Sequence, residues 1–284
     1  MMNYIFWGGK AIGNYVLNGL IENGYVPKGI ILYKDIIDQE LIKKADSLNI
    51  KVLKIHSFHK QQDDLELFII KLNVDLFISV AFPFILPSRI LKLVKYPINI
   101  HTGAIPKYRG HHPLSAALLN DEPYQATTVH FMTEEVDAGD ILLQDFVPIK
   151  NEDSILTIRQ KLIELSLNLI LTVLKQLKNG TLYPKKQIGE IIWAPKRNPE
   201  DSRVDFTKTS RYLHNFIRAL VDPYPNAFAF KKGDKIVKFK KSITSNKPGV
   251  VLADLGQNHY IISTSDGIVY VETDAKLIVG EELQ

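Results

Sequence analysis

Cysteine is absent from all 284 residues. That excludes disulfides, a thiolate nucleophile and every cysteine-based zinc or iron–sulfur site, and it is compatible with a reducing compartment. Long apolar runs are missing as well. The most apolar-rich segment, Ile155 to Leu177, is broken by Arg159, Gln160, Lys161 and Glu164. It reads as an amphipathic helix, and no membrane partner is expected. No basic leader or cleavage site precedes Tyr4-Ile5-Phe6-Trp7, so no signal peptide is expected and the location is expected to be cytoplasmic. Excess charge is small, at +4. The lysine pairs Lys185-Lys186, Lys231-Lys232 and Lys240-Lys241 are explained by solvated strand and turn faces, and nucleic acid is not expected as a partner. There is no internal repeat and no low-complexity tract. What is left, 45% hydrophobic and 23% charged, is ordinary globular composition in a chain long enough for two domains.

The N-terminal part alternates strand-like and helix-like segments. Strands are expected at Asn3 to Trp7, Gly29 to Tyr33, Lys51 to Ile55 and Val74 to Phe82, and helices at Ile12 to Asn23, Gln39 to Leu48 and Phe58 to Leu72. The last strand is almost wholly apolar, which suits burial on both faces. Repeated βα units of this length predict an open, mainly parallel sheet. The first turn, Gly8-Gly9-Lys10-Ala11-Ile12-Gly13, departs from a dinucleotide fingerprint. Its glycines are misplaced, and Tyr33-Lys34 stands where a ribose-binding acid belongs. A helix N-terminus there, helped by Lys10, is able to hold phosphate, and a plain strand-to-helix turn explains it equally. Pro83-Phe84-Ile85-Leu86-Pro87 is apolar where a loop is normally polar. It follows a parallel strand's carboxyl end, where ligands bind in such sheets, and a helix from Ser88 to Lys95 comes next.

Chemistry concentrates between Ile98 and Asp140. Asn99 and His101 stand two apart, so on a strand they share a face. A Gly- and Pro-containing loop (Gly103 to Gly110), a short helix from Pro113 and a strand from Thr127 to Thr133 follow. The turn Val136-Asp137-Ala138-Gly139-Asp140 comes next. If it folds back beside the first strand, an amide, an imidazole and a carboxylate converge, a set suited to acyl transfer. Beyond it, Ser154 to Leu177 is expected as a long helix stopped at Asn179-Gly180. Lys185 to Asp205 is polar, with Pro184, Pro195 and Pro199 in or beside it, and reads as a surface linker. Lys208 to Val221 is expected as an amphipathic helix. Short strands follow at Ala227 to Lys231, Ile236 to Phe239, Val250 to Leu252, Tyr260 to Thr264 and Ile268 to Glu272. Their turns are Lys232-Gly233-Asp234, Pro248-Gly249 and Ser265-Asp266-Gly267. The organisation expected is a catalytic α/β domain over 1–183, a linker over 184–206, and a helix plus a small antiparallel barrel or sandwich over 207–284.

Three motifs now align: Asn-x-His at Asn99 and His101, Pro-x-Tyr-Arg-Gly-x-x-Pro from Pro106 to Pro113, and Val-Asp-x-Gly-Asp from Val136 to Asp140. In order and spacing they resemble the formyltransferases that use N10-formyltetrahydrofolate. The resemblance extends to Arg197-Asn198-Pro199-Glu200-Asp201, Leu213-His214-Asn215, Ile217-Arg218-Ala219 and Asp222-Pro223-Tyr224-Pro225-Asn226-Ala227-Phe228, and so covers most of the chain. It implies a Rossmann-like domain with Asn99, His101 and Asp137 as catalytic residues. It implies a folate-binding loop at Phe82 to Pro87, with Phe82, Phe84, Ile85, Leu86, Val136 and Asp140 as cofactor contacts. Lys10, Arg109, His111 and His112 are the candidates on the acceptor side, although Arg109 is equally placed to fix its loop.

Within that family, the methionyl-tRNA enzymes carry a basic insertion after the second strand. Here Tyr33 runs through Lys34 to Glu40 straight into the next helix. The purine-pathway ribonucleotide transformylase would leave residues 180–284 unexplained. The resemblance is greatest to enzymes that formylate nucleotide-linked amino sugars for surface polysaccharide of the O-antigen type. Gly103-Ala104-Ile105 and Ala116 replace the family's usual Ser-Leu-Leu and Trp, which bears on the shape of the acceptor pocket. In the chemistry so implied, Asn99 and His101 donate to the oxyanion, and Asp137 orients His101 and accepts the amine proton. Tetrahydrofolate leaves, and homodimerisation is an expectation taken from relatives. No metal is expected, because adjacent histidines such as His111 and His112 rarely both face one ion and no carboxylate pair completes a set with His101 or His130. His214 is expected as a helix-surface or packing residue. Two further readings stand beside this one: methionyl-tRNA formylation, and a non-catalytic protein that binds folate or a sugar nucleotide.

Overall fold

The structure is a computed structural model and describes residues 2–33, 39–231, 235–244, 253–264 and 268–277. Lys34 and the strand expected at Val250 to Leu252 lie outside the described residues. So do the turns at Lys232-Gly233-Asp234, Pro248-Gly249 and Ser265-Asp266-Gly267. By its internal contacts the chain divides into two compact units, one of residues 1–110, 126–147 and 161–193, the other of 111–125, 148–160 and 194–284.

The first unit is organised by β1 (Tyr4–Gly8), α1 (Lys10–Glu22), β2 (Gly29–Tyr33), α2 (Gln39–Ser47), β3 (Lys51–Ile55), α3 (Gln62–Leu72), β4 (Leu76–Val80), α4 (Ser88–Leu91) and β5 (Tyr96–His101). After β6 (Lys107–Gly110), and α5 (Pro113–Leu119), which belongs to the second unit, come β7 (Tyr124–Phe131), β8 (Ile141–Pro148) and the long α6 (Ile155–Asn179). The seven-stranded sheet has the order β3-β2-β1-β4-β5-β7-β8. Its pairs from β3 through to β5 are parallel, whereas β5 and β7 run antiparallel.

Apolar alternation explains why helices cover both faces. Tyr4, Phe6, Ile30, Leu32, Leu76, Ile78 and Val80 join one core with Val16, Leu17, Leu20 and α6 residues Leu169, Ile170 and Val173. Ile5, Trp7, Ile31 and Phe77, the intervening positions, join a second core with Phe58, Leu65, Ile69 and Ile90. Strands β1 and β4 are buried along their whole length, as a doubly covered parallel sheet requires.

Three helix and strand expectations shift. The helix expected from Phe58 begins only at Gln62, because Gln61 Oε1 accepts from the backbone N–H of His56 and Ser57 and holds a turn there. The helix expected over Ser88 to Lys95 is a single turn. β8, unforeseen in the sequence, forms a sheet edge whose burial does not alternate.

β9 (Ile192–Ala194) falls in the first unit except for Ala194, and the second unit continues with α7 (Ser210–Arg218). Thr209 caps α7, its hydroxyl accepting from Tyr212 N–H, as N-cap threonines do. Then come β10 (Ala227–Lys231), β11 (Lys235–Phe239), β12 (Lys241–Thr244), β13 (Ala253–Gly256), β14 (His259–Ser263) and β15 (Ile268–Glu272). β10 and β11 form an antiparallel pair, and the other four form a sheet ordered β12-β15-β14-β13. Leu213, Phe216, Ile217, Val237, Phe239, Tyr260 and Val271 make its core. His214 is buried, its ring nitrogens against Ser242 Oγ and the Asn151 carbonyl. It is the packing residue of the two alternatives. No described helix is long and apolar enough to cross a membrane.

Candidate active site

The site is built where β5 ends. Ile98 and Ile100 turn into the α6-side core, so Asn99 and His101 share the opposite face. The antiparallel register places His130 across from Asn99 and Thr128 across from His101. Cross-strand neighbours on one face are in contact range, and Asn99 Nδ2 lies 3.1 Å from His130 Nε2. His130 Nδ1 lies 2.8 Å from the Phe131 carbonyl, which can only accept. In the neutral ring, Nδ1 therefore carries the hydrogen and Nε2 accepts from the Asn99 amide.

Asp137 reaches the same place from the turn between β7 and β8. Its backbone is left-handed, with φ of 51°, a conformation that Asp tolerates better than most residues. At Gly139 any side chain is excluded, since a Cβ would lie 1.9 Å from the Phe131 carbonyl oxygen. Phe131 N–H in turn donates to the Asp140 carbonyl, which pins the turn against β7. The carboxylate so presented lies 3.4 Å from His101 Nδ1 and 3.5 Å from His130 Nε2, and accepts from Gly110 N–H at 2.9 Å. Asn99, His101 and Asp137 are thus together, as the motifs imply.

His101 is 8% exposed, and its Nε2 lies 2.8 Å from the Tyr108 carbonyl. Because that carbonyl can only accept, the neutral ring keeps its hydrogen on Nε2 and turns its Nδ1 lone pair toward Asp137. Burial depresses the His101 pKa below the ordinary imidazole value, and the His130 ring adds to this. The Asp137 charge and the Tyr108 carbonyl oppose it without prevailing. Burial by itself would raise Asp137, but His101, His130 and Gly110 N–H outweigh it and hold the carboxyl well below the usual carboxylate range. A bare lone pair and a carboxylate oxygen, facing each other with no proton between them, make a receptor for one proton.

The sign of the pH dependence follows. The proton-accepting form has His101 neutral and Asp137 ionised, and it is lost only when pH falls through a depressed His101 value. The His101 ring, followed by NMR in the free protein, is therefore expected to titrate below about pH 6.5, the free imidazole value. Titration at or above that value would contradict this assignment.

The other expected residues are distributed unevenly. Phe82 and Phe84 are half-buried and pack into an aromatic cluster. Phe84 stacks on Phe58 with centroids 4.9 Å apart, and Phe82 meets Trp7 edge-on at 5.3 Å. Leu86 is buried, whereas Ile85 stands exposed. Phe82, Phe84 and Leu86 anchor the loop, which leaves Pro83 and Ile85 exposed. Glu134 ties this loop to the Asp137 turn by accepting from Ser88 N–H. Val136 is half-buried, and Asp140 pairs with Lys186 at 3.1 Å. Lys10 is exposed at the start of α1 with φ of 57°. Arg109 is buried, bonded to Glu135 and Gln187, the geometry of the loop-fixing alternative. His111 and His112 are exposed in the second unit, and His112 adopts φ of 49° ahead of α5.

Sequence reasoning missed the Tyr108 carbonyl, the Gly110 N–H, Gln187 and the part played by His130. Only His130 left a signal. With Thr128 it repeats, two residues apart, the spacing of Asn99 and His101 on an adjacent strand.

Residues 32–174 match the family model described as formyl transferase, and residues 196–279 the formyl transferase C-terminal domain. A methionyl-tRNA formyltransferase from Thermodesulfovibrio yellowstonii is 32% identical over 203 residues, covering 70% of this chain and 65% of that protein. Another, from Lactobacillus johnsonii, is 30% identical over 279 residues, covering 94% of this chain and 88% of its own. Among solved structures, the N-formyltransferase from Helicobacter canadensis in complex with folinic acid and dTDP-3-aminofucose is 22% identical. It covers 96% of this chain and 99% of its own with a TM-score of 0.76, a likeness of fold.

Proposed function

The chain belongs to the formyl transferase family, and from that premise we propose that it moves a formyl group from N10-formyltetrahydrofolate to the amino group of a nucleotide-linked amino sugar. The acceptor class rests on one observation. Only Lys34-Asp35-Ile36-Ile37-Asp38 connects β2 to α2, one lysine against two aspartates. That leaves no basic arm of the kind the resemblance assigns to enzymes acting on tRNA. The fold shared with the Helicobacter canadensis N-formyltransferase supports the same reading. Such a formylated sugar would enter surface polysaccharide.

The co-substrate supplies the formyl carbon. The acceptor's neutral amine attacks it, and a C–N bond forms while the oxygen gains charge. Asn99 donates to that oxygen, and the gap between Asp137 and His101 Nδ1 takes the proton that the amine gives up. The second C–N bond then breaks, and the leaving nitrogen of tetrahydrofolate recovers a proton. No covalent enzyme intermediate is required, consistent with a chain that has no cysteine.

A second reading, methionyl-tRNA formylation, is favoured by identity of 30% along nearly the whole length of the Lactobacillus johnsonii enzyme. The test is tetrahydrofolate release with dTDP-, UDP- and GDP-linked amino sugars against charged initiator tRNA. Turnover with one sugar nucleotide is the expected result. Turnover with tRNA alone would move the chain to the other branch, and silence with both would favour the non-catalytic binding protein.

A further inference from the structure

Gln187 lies in the polar stretch after α6 that reads in the sequence as surface linker. The first part of the stretch, as far as Trp193, instead belongs to the first unit. Lys185 and Ile141 exchange backbone hydrogen bonds, each 2.8 Å. Among the neighbours from Tyr183 to Glu190, which are exposed, Gln187 alone is turned inward. Its carboxamide makes four hydrogen bonds. Oε1 accepts from Arg109 Nε at 3.1 Å and Nη2 at 2.7 Å, and Nε2 donates to the carbonyls of Asp137 at 2.8 Å and Gly139 at 2.7 Å. The assignment has no alternative, because a guanidinium only donates and a backbone carbonyl only accepts. Arg109 also bonds Glu135 at 2.8 Å, so one buried cation and one amide grip the turn from Glu135 to Gly139 at both ends.

That turn carries Asp137 in a left-handed backbone conformation and sets the 3.4 Å spacing from His101. Nothing in Gln187 touches the carboxylate itself. Its two donated bonds fix the peptide carbonyls on either side of Ala138 and therefore the direction in which Asp137 leaves the backbone. We propose that Gln187 is a positioning residue for Asp137, oriented by Arg109. The proposal rests on the formyl-transfer reading only for what Asp137 then does.

Gln187→Met keeps chain length while removing the acceptor and both donors. Gln187→Glu keeps the acceptor for Arg109 and sets a carboxylate against two carbonyls. Both are expected to lower kcat by roughly ten- to a hundredfold, the scale of a small misplacement of a reacting group, with KM for both substrates unchanged. The second readout is independent of turnover. The His101 ring resonance, assigned by its loss in His101→Asn, is expected to titrate at lower pH in both variants, since a displaced Asp137 charge no longer holds a proton on the ring. Unchanged kcat with unchanged titration in a folded variant overturns the proposal, and so does a raised KM at unchanged kcat. If the native protein shows no formyl transfer to any acceptor, that reading fails by itself, and the His101 titration still decides the role of Gln187.

Discussion

Asp137→Asn is expected to lower kcat by about 10²–10⁴-fold, the range for loss of a positioned proton acceptor, or about 3–5 kcal/mol of barrier. KM for either substrate should barely move. The substitution is chosen because it changes so little else. Asp137 Oδ2 both accepts the Gly110 N–H and faces His101 Nδ1 at 3.4 Å. An asparagine oxygen can take that position with its amide turned toward His130 Nε2, where Oδ1 now lies at 3.5 Å. The shape is kept, while the charge that would hold the proton beside His101 is lost. Because the fold favours the ionised form of Asp137, the neutral variant is expected to melt somewhat lower while staying folded. Steady-state kcat and KM with a thermal melt test this together. A folded variant that turns over normally would remove Asp137 from the chemistry.

The convergence of Asn99, His101 and Asp137 was legible because its signals are local. Asn99 and His101 announce a shared face by their spacing, and Asp137 announces a tight turn through Gly139, where even a methyl group would meet the Phe131 carbonyl. The doubly covered sheet was legible for a related reason. Runs such as Leu76 to Val80 are apolar at every position but Ser79, a pattern that suits a strand buried on both faces. What escaped were elements whose reason lies elsewhere in the chain. β8 is an edge strand with Asp145 and Phe146 exposed, so neither alternation nor a continuous apolar run marks it. The Arg109 guanidinium is held by Gln187, which is 78 residues away. The Asn99 amide is held by His130 through a register that only the folded sheet reveals. Spacing shows which groups can converge, whereas the groups that hold them are set by tertiary contact.

Asn99→Ala, expected to reduce kcat by about 10²–10³-fold, tests the other half of the mechanism. The His101 ring in this structure has one nitrogen committed to the Tyr108 carbonyl and the other facing Asp137. The Asn99 amide is therefore the side-chain donor best placed for an oxygen that gains charge. One of its two hydrogens goes to His130 Nε2 at 3.1 Å, which fixes the plane of the amide and leaves the second for the substrate. A fixed dipole of this kind stabilises the transition state without having to reorient when charge develops, so the loss should fall on kcat with little change in KM. Asn99→Asp is expected to be at least as damaging, because it places an acceptor charge where a donor is needed. The decisive comparison is the split between kcat and KM in the alanine variant. A raised KM for the formyl donor with kcat intact would make Asn99 a ground-state binding residue, and the oxyanion would then need a donor from backbone amides or from a His101 ring that turns away from Tyr108.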